Sequence, residues 1–350
     1  MRIQTYDGSI NELVEFVNSV WSHSYAGRMT FLHWTEDFFR WQFRLNDDSD
    51  RQNLIAAYVG ERLAGVLLGT SYQCRSPAGV HGASQWSWLS IHSDFRGHGI
   101  AKALDQERIR RLTTSGSRLI ISFRYFGSRH SQAERPRQGV QNQKFNRKVG
   151  FWARVIDPAR FANWHWNRVE GFLAKLSDPV ARIPKAAHAD SSVRSFEPAD
   201  LDACVNLVQK TFSTKMLSIA WDHSTLGHHL GGNAVSQTLV LREDGRITGL
   251  VNFHLLKFQA RAVETVAVID LIAFEQATSR GQVRLINAAL ARMQAQGAIL
   301  ALKVRLGDAP VWPLLRAHFI PQFADSHLVL QPVGDEYVIP RTGPIHVLWR

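Results

Sequence analysis

The sequence predicts an α/β protein of two tandem domains, each a mixed central sheet flanked by helices. Three observations carry that expectation. Stretches with the two-residue period of strands alternate along the chain with stretches of helical period. Residues 86–112 read as a buried strand, a glycine-bearing turn and a basic helix in direct succession. After a stretch carrying Pro179 and Pro184, the order of short strand, helix, hairpin and buried strand starts again at Val193. The expected boundaries are an N-terminal domain over 1–180, a linker over 181–191 and a C-terminal domain over 192–350. At 350 residues, each half is long enough to bury its own core.

The elements follow in order. Asn11–Trp21 sets Leu13, Phe16, Val17 and Val20 on one helical face. The aromatic run Phe31–Phe43 reads as a second helix packed on a sheet. Leu54–Val59 and Leu63–Tyr72 are strands joined through Gly60-Glu61-Arg62. Ser76–Ser84, with Pro77, Gly79 and Gly82, reads as a loop into the central strand Trp86–His92. Gly116 stops the basic helix, and Leu119–Tyr125 is a strand parallel to the central one. In the second half, Asp200 is placed to cap a helix through Phe212. Asp244-Gly245 joins two strands, Val266–Phe274 is a buried strand, Val283–Met293 a helix and Ile299–Val304 a further strand. The two halves therefore read as an internal duplication, at a period too long for a solenoid.

Composition narrows the class. Hydrophobic residues make up 45% and aromatic residues 10%, which excludes a disordered chain. The two cysteines, Cys74 and Cys204, lie far apart, so neither a disulfide framework nor a zinc site is expected; a reducing, cytoplasmic setting fits. The first eight residues have no apolar signal core, and no run of about 18 apolar residues exists to span a membrane. The net charge of +11 is concentrated: between Arg96 and Lys148, 13 basic residues face 3 acidic ones. Such a surface attracts a coenzyme with several phosphates, or a nucleic acid. No residue pattern sets the oligomeric state.

The turn between central strand and basic helix is Arg96-Gly97-His98-Gly99-Ile100-Ala101. Unpaired amides at a helix start and the helix dipole favour an anion, and two glycines let a phosphate approach the backbone. Lys102 stands where a dinucleotide fingerprint needs its third glycine, and no Gly-Lys-Ser/Thr follows to make a P-loop. The stretch resembles the signature of the GCN5-related N-acetyltransferase superfamily, Arg/Gln-x-x-Gly-x-Gly/Ala after a long strand, with Arg96, Gly99 and Ala101 in the fixed positions. Asn146-Arg147-Lys148-Val149-Gly150-Phe151 resembles its second landmark, a helix ending in Tyr-x-x-x-Gly-Phe. Gly150 and Phe151 match, and Asn146 holds the tyrosine position. In the second half, Arg280–Leu285 falls at the place of the phosphate loop, with Val283 and Leu285 standing for Gly99 and Ala101. A β-branched side chain there obstructs a phosphate, so that copy reads as having lost its coenzyme site.

The resemblance implies two acyl-CoA N-acyltransferase-like domains and an N-acetyltransferase that moves an acetyl group from acetyl-CoA to a primary amine. The coenzyme would lie on Leu89, Ser90 and Ile91 of the central strand and on Arg96, Gly97, His98, Gly99, Ile100 and Ala101. The catalytic residues stay open. The family's strand carboxylate is missing from Trp86–His92, which leaves Gln85 and Ser87 to orient a water and His92, Tyr125, His130, Glu134 and Asp270 as titratable candidates. Asn146 is placed near the coenzyme sulfur, where an amide has no proton to give. The acceptor is a small-molecule or peptide amine of unknown identity. Two other classes stand beside the enzyme: a catalytically degenerate acyl-CoA-binding regulatory protein, and a nucleic-acid-associated protein using the basic surface.

Overall fold

The computed structural model describes residues 1–45, 51–125, 145–166, 183–184, 192–231, 235–334, 337–339 and 343–350. The first half runs β1 (Arg2–Thr5), α1 (Ile10–Tyr25), β2 (Phe31–His33), α2 (Glu36–Gln42), β3 (Leu54–Val59), β4 (Arg62–Ser76), β5 (Gly79–Ile91), α3 (Ile100–Thr114), β6 (Leu119–Tyr125), β7 (Phe145–Val149), β8 (Phe151–Val155) and α4 (Pro158–Trp164). The second runs β9 (Val193–Ser195), α5 (Leu201–Phe212), β10 (Leu217–Ile219), α6 (His223–Leu230), β11 (Ser236–Glu243), β12 (Arg246–Gln259), β13 (Val263–Phe274), α7 (Ser279–Ala295), β14 (Leu300–Val304), α8 (Val311–Arg316), β15 (Ile320–Pro321), β16 (Ser326–Pro332) and β17 (Ile345–His346).

These strands form two mixed sheets. One has the order β1-β3-β4-β5-β6-β16-β7, the other β15-β8-β14-β13-β12-β11-β9. Each centre holds a long antiparallel hairpin, β4–β5 or β12–β13, followed by one parallel neighbour, β6 or β14. Sheet membership crosses the 1–180 and 192–350 boundaries in both directions. β8 joins the second sheet beside β14, and β16 joins the first between β6 and β7. Two short strands cross as well: β2 pairs with β12 and β10 with β4.

Both halves repeat the same local devices. Asn18 Nδ2 donates to the Trp34 carbonyl at 2.9 Å, and Gln209 Nε2 donates to the Trp221 carbonyl at 2.8 Å. The next residue caps the next helix in each case, Thr35 through the Phe38 amide and Asp222 through the Thr225 amide. Where α2 and α6 meet, Trp41 stacks on His228 with ring centroids 5.6 Å apart. Trp41 Nε1 bonds the His228 carbonyl and His228 Nε2 the Trp41 carbonyl.

Helix α3 covers the outer face of the first sheet with Ile100, Leu104 and Leu112, and α7 covers the second with Leu285, Ile286, Ala289 and Met293. Between the sheets, α1, α2, α5 and α6 share one apolar cluster with strands of both. The halves therefore have a common core, and neither buries its inner face without the other.

Several local expectations need correction. Phe31–Phe43 is not one helix: Phe31–His33 finds a strand partner in β12, and Thr35 starts α2 afresh. The expected loop Ser76–Ser84 is nearly all strand, because Pro77 and Ala78 alone make the turn. Asp200 does not cap α5; its carboxylate accepts from the Glu197 amide and pairs with Arg194. Asn146 stands on strand β7, paired through the Asn146–Val329 register with β16. A segment 180 residues away supplies that strand's partner, which local periodicity cannot reveal.

Candidate functional site

The site is built on β5. This strand pairs with β4 along one edge from Gly79 onward and with β6 along the other. The parallel pairing with β6 covers only Ala83–Gln85 against Leu119–Ile121. Beyond Gln85 the strands diverge, β5 staying with β4 and β6 with β16. A bulge opposite Leu67 sits at the start of the divergence, where Trp88 adopts φ +54°. Among the described residues, the β6-facing edge of Trp86–Ile91 therefore has no strand partner. This is where Leu89, Ser90 and Ile91 were expected to meet the coenzyme. Ser90 is fully buried and its Oγ accepts from Trp21 Nε1 at 3.0 Å.

The open edge leads to the glycine turn. Gly97 and Gly99 have φ of +83° and +78°, a backbone region that side chains resist. A Cβ on either would meet nothing within 4 Å, so the space above them is open. Gly99 is the N-cap of α3, no side chain caps that helix, and its first turn carries no acid. Ile100 is buried, whereas His98 and Ala101 are exposed. Arg96 faces inward: its Nε donates to the Ile91 carbonyl at 3.3 Å and its Nη2 to Ser24 Oγ at 2.6 Å. Its job is to tie the turn to β5 and α1.

Four of the proposed catalytic residues converge on one segment, Leu348–Arg350. Gln85 Nε2 donates to the Leu348 carbonyl at 3.1 Å, and Ser87 Oγ donates to the Arg350 carbonyl at 2.9 Å. Both side chains thus spend a donor on the main chain of this segment. Tyr125 packs edge-on against Trp349 with centroids 6.2 Å apart. Asp270 accepts from both ends of the Arg350 guanidinium, at 2.9 Å and 2.5 Å, while Arg350 Nε donates to Gln42 Oε1 at 2.6 Å.

Asp270 is not a lone acid. His254 Nε2 donates to it at 2.6 Å, and His229 Nε2 stands 3.2 Å away. Burial alone would raise its pKa, but Arg350, His254 and His229 outweigh burial and hold the carboxyl well below the usual range. A carboxylate so stabilised is a weak proton acceptor. Burial pushes His229 down to about 3, so this ring is neutral at physiological pH. The ligand atoms of His229, His254 and Asp270 lie within 4.8 Å of one another, a spacing that suits a metal ion. Here the Arg350 guanidinium covers both carboxylate oxygens and supplies the positive charge instead. Reading the sequence alone missed Arg350, Gln42, His229 and His254; His254 inside the apolar stretch Leu250–Leu256 was the available signal.

The remaining candidates lie elsewhere. His92 is partly exposed beyond the end of β5 and accepts from the Asp94 amide at 3.3 Å. Asn146 is exposed on β7, at the edge of the sheet. Glu134 and His130 fall outside the described residues. The arginines of α3 are turned to intramolecular partners: Arg108 to Asp105, and Arg110 and Arg111 to Glu107.

The second half has no matching turn. Its loop is Glu275–Thr278, and α7 already begins at Ser279, because Thr278 Oγ1 accepts from the Gly281 amide. Arg280–Leu285 therefore lies inside the helix and not in a phosphate loop, which corrects the register read from sequence. The helix start is filled by Glu243, whose carboxylate accepts from the Thr278 amide at 3.0 Å and from Thr278 Oγ1 at 2.6 Å.

No protein-family model matches the chain, and no curated protein does. Solved structures do. Saccharomyces cerevisiae N-myristoyltransferase with bound myristoyl-CoA superposes with a TM-score of 0.76 at 13% identity, covering 94% of this chain and 82% of that one. A probable N-acyltransferase from Enterococcus faecalis matches at 0.52 and 10% identity, over 95% of this chain and 72% of that one. A GCN5-related N-acetyltransferase from Anabaena variabilis matches at 0.51 and 11%, over 95% and 73%. The chain thus shares the two-sheet fold of these three solved structures over nearly its whole length.

Proposed function

We propose that this protein is an N-acyltransferase that takes an acyl group from acyl-CoA, acetyl-CoA in the first instance, and passes it to a primary amine. The observation that carries the reading is the continuity of the open β5 edge with the open glycine turn. One offers main-chain groups to the pantetheine arm and the thioester; the other offers unpaired helix amides to the pyrophosphate.

The chemistry needs little beyond positioning. The amine lone pair attacks the thioester carbonyl carbon, a C–N bond forms and the C–S bond breaks. The amine's proton passes to water, and the CoA thiolate leaves and takes up a proton from solvent. Amides of Leu89–Ile91 facing the carbonyl oxygen would stabilise the charge that develops on it. Gln85 and Ser87 fix Leu348–Arg350 against β5, and the acceptor would approach along this segment.

The test is thiol release from acetyl-CoA by the purified chain across a library of small amines and peptide N-termini. Release that depends on the added amine supports an enzyme. Tight CoA binding with no amine-dependent release from any library member would favour the regulatory binding protein. Failure of CoA to bind would remove both.

A further inference from the structure

We propose that Trp88 closes the acyl end of this site and restricts the chain to short acyl groups. The inference rests on the acyl-CoA reading above and deepens it. Trp88 sits on the bulge, at the point where β5 and β6 part. Its ring is 3% exposed and wedged edge-on between Trp34 and Phe43, at 5.3 Å and 5.2 Å between centroids. Trp34 is itself backed by Phe38 and Phe39, at 5.2 Å and 5.4 Å. On the opposite face of the strand, Trp86 is 2% exposed and packed over Gly69 so closely that a Cβ there would strike its ring. An acyl chain held at Leu89–Ile91 therefore meets an indole on whichever face it turns to. A two-carbon acyl group ends within the gap between the strands; an eight-carbon chain has to displace a ring from a close-packed cluster.

Two costs are concentrated on Trp88. A bulky side chain at φ +54° is strained, and its buried indole N–H has no acceptor among the described residues. The ring's packing holds it there against both costs. A residue kept in a disfavoured conformation where the two strands part is where selection by size would act.

Trp88→Gly is the variant of choice, because glycine adopts φ +54° without strain and so preserves the bulge. Trp88→Phe keeps a smaller ring in case the glycine variant melts early. Calorimetry on the full chain would measure CoA, acetyl-CoA, octanoyl-CoA and myristoyl-CoA, each acyl form read as a ratio to unacylated CoA in the same protein. The expected result is a wild type that binds acetyl-CoA at least 10-fold more tightly than octanoyl-CoA, with that ratio falling below 3-fold in Trp88→Gly and falling part-way in Trp88→Phe. Octanoyl- or myristoyl-CoA binding to wild type as tightly as acetyl-CoA would overturn the proposal, as would a ratio unmoved in both variants. If no CoA species binds at all, the coenzyme reading fails and this one with it. If CoA binds regardless of chain length, this proposal alone fails.

Discussion

The two halves of this chain share one fold and differ at two matched places. Helix α3 starts at a bare glycine with open space above it, whereas α7 starts at a threonine with the Glu243 carboxylate laid across it. The bulged central strand of the first half carries Ser87, and that of the second carries Asp270 near the matching position. Both side chains reach the same residue, Arg350. A duplicated fold therefore needs little to divide its labour. One helix start is left empty; at the other the chain supplies its own anion.

The strand pair gives the largest expected effect. Asp270→Ala would leave the Arg350 guanidinium buried without its counter-charge, at a cost of about 3–5 kcal/mol. Ser87→Ala removes one neutral hydrogen bond, worth about 1 kcal/mol. Urea unfolding of the two variants should show that gap. Equal losses would mean that Arg350 is not held mainly by its ion pair.

Next comes the turn. Gly99→Val combines a β-branched side chain with φ +78° and fills the space above the α3 amides. Coenzyme affinity should fall at least 100-fold, while Val283→Ala, inside α7, should leave it unchanged. Calorimetry should find one CoA site per chain; two equivalent sites would refute the difference between the halves. Glu243→Ala should cost about 1–2 kcal/mol by freeing the Thr278 amide and hydroxyl, without a detectable second CoA site.

Acid should act on the second half through its histidines. Burial depresses His229 to about 3 and lowers His254 as well. Below the unfolded-state value of about 6.5 the unfolded chain takes up protons that the folded rings refuse. The His229 contribution is therefore full above pH ~6.5 and declines as pH falls toward 3, by up to about 1.4 kcal/mol per pH unit, and His254 acts in the same direction. Asp270 adds to the loss as pH falls below its unfolded-state value of about 3.9 toward its depressed folded value. Melting temperatures from pH 7.5 to 4 should show a shallower decline in His229→Gln than in wild type.

The sequence disclosed the local part of this architecture. The hairpins, the α3 glycine turn and the parallel β6 depend on residues close together in the chain. What depends on distant partners was hidden. β2 reads as part of a helix until β12 is there to pair with it, and β7 has no strand character until β16 arrives from the other half. The Arg350 cluster joins positions 42, 229, 254, 270 and 350, most of them unremarkable in their own neighbourhood. Asp270 alone stood out, as an acid in an apolar strand. The register error at Arg280–Leu285 arose because Gly281 imitates a turn glycine. Its lack of a side chain serves packing instead, since a Cβ would strike Glu243.

The smallest effect is expected at Asn146. The resemblance to the family's tyrosine position would put this side chain beside the coenzyme sulfur. Its place on β7 is exposed, and β16 separates that strand from β6. The cleft opens on the other edge of β6, toward β5. An amide has no proton to donate to a departing thiolate, and here it also stands one strand too far away. Asn146→Ala should change turnover by less than about 2-fold, against the 10²–10⁴ expected for loss of a general acid. Asn146→Tyr should gain nothing, and the pH profile should be the same in all three proteins. A 1000-fold loss in Asn146→Ala at an unchanged melting temperature would instead mean that β7 moves into the cleft during turnover, and that the first half's site is larger than β5 and its glycine turn.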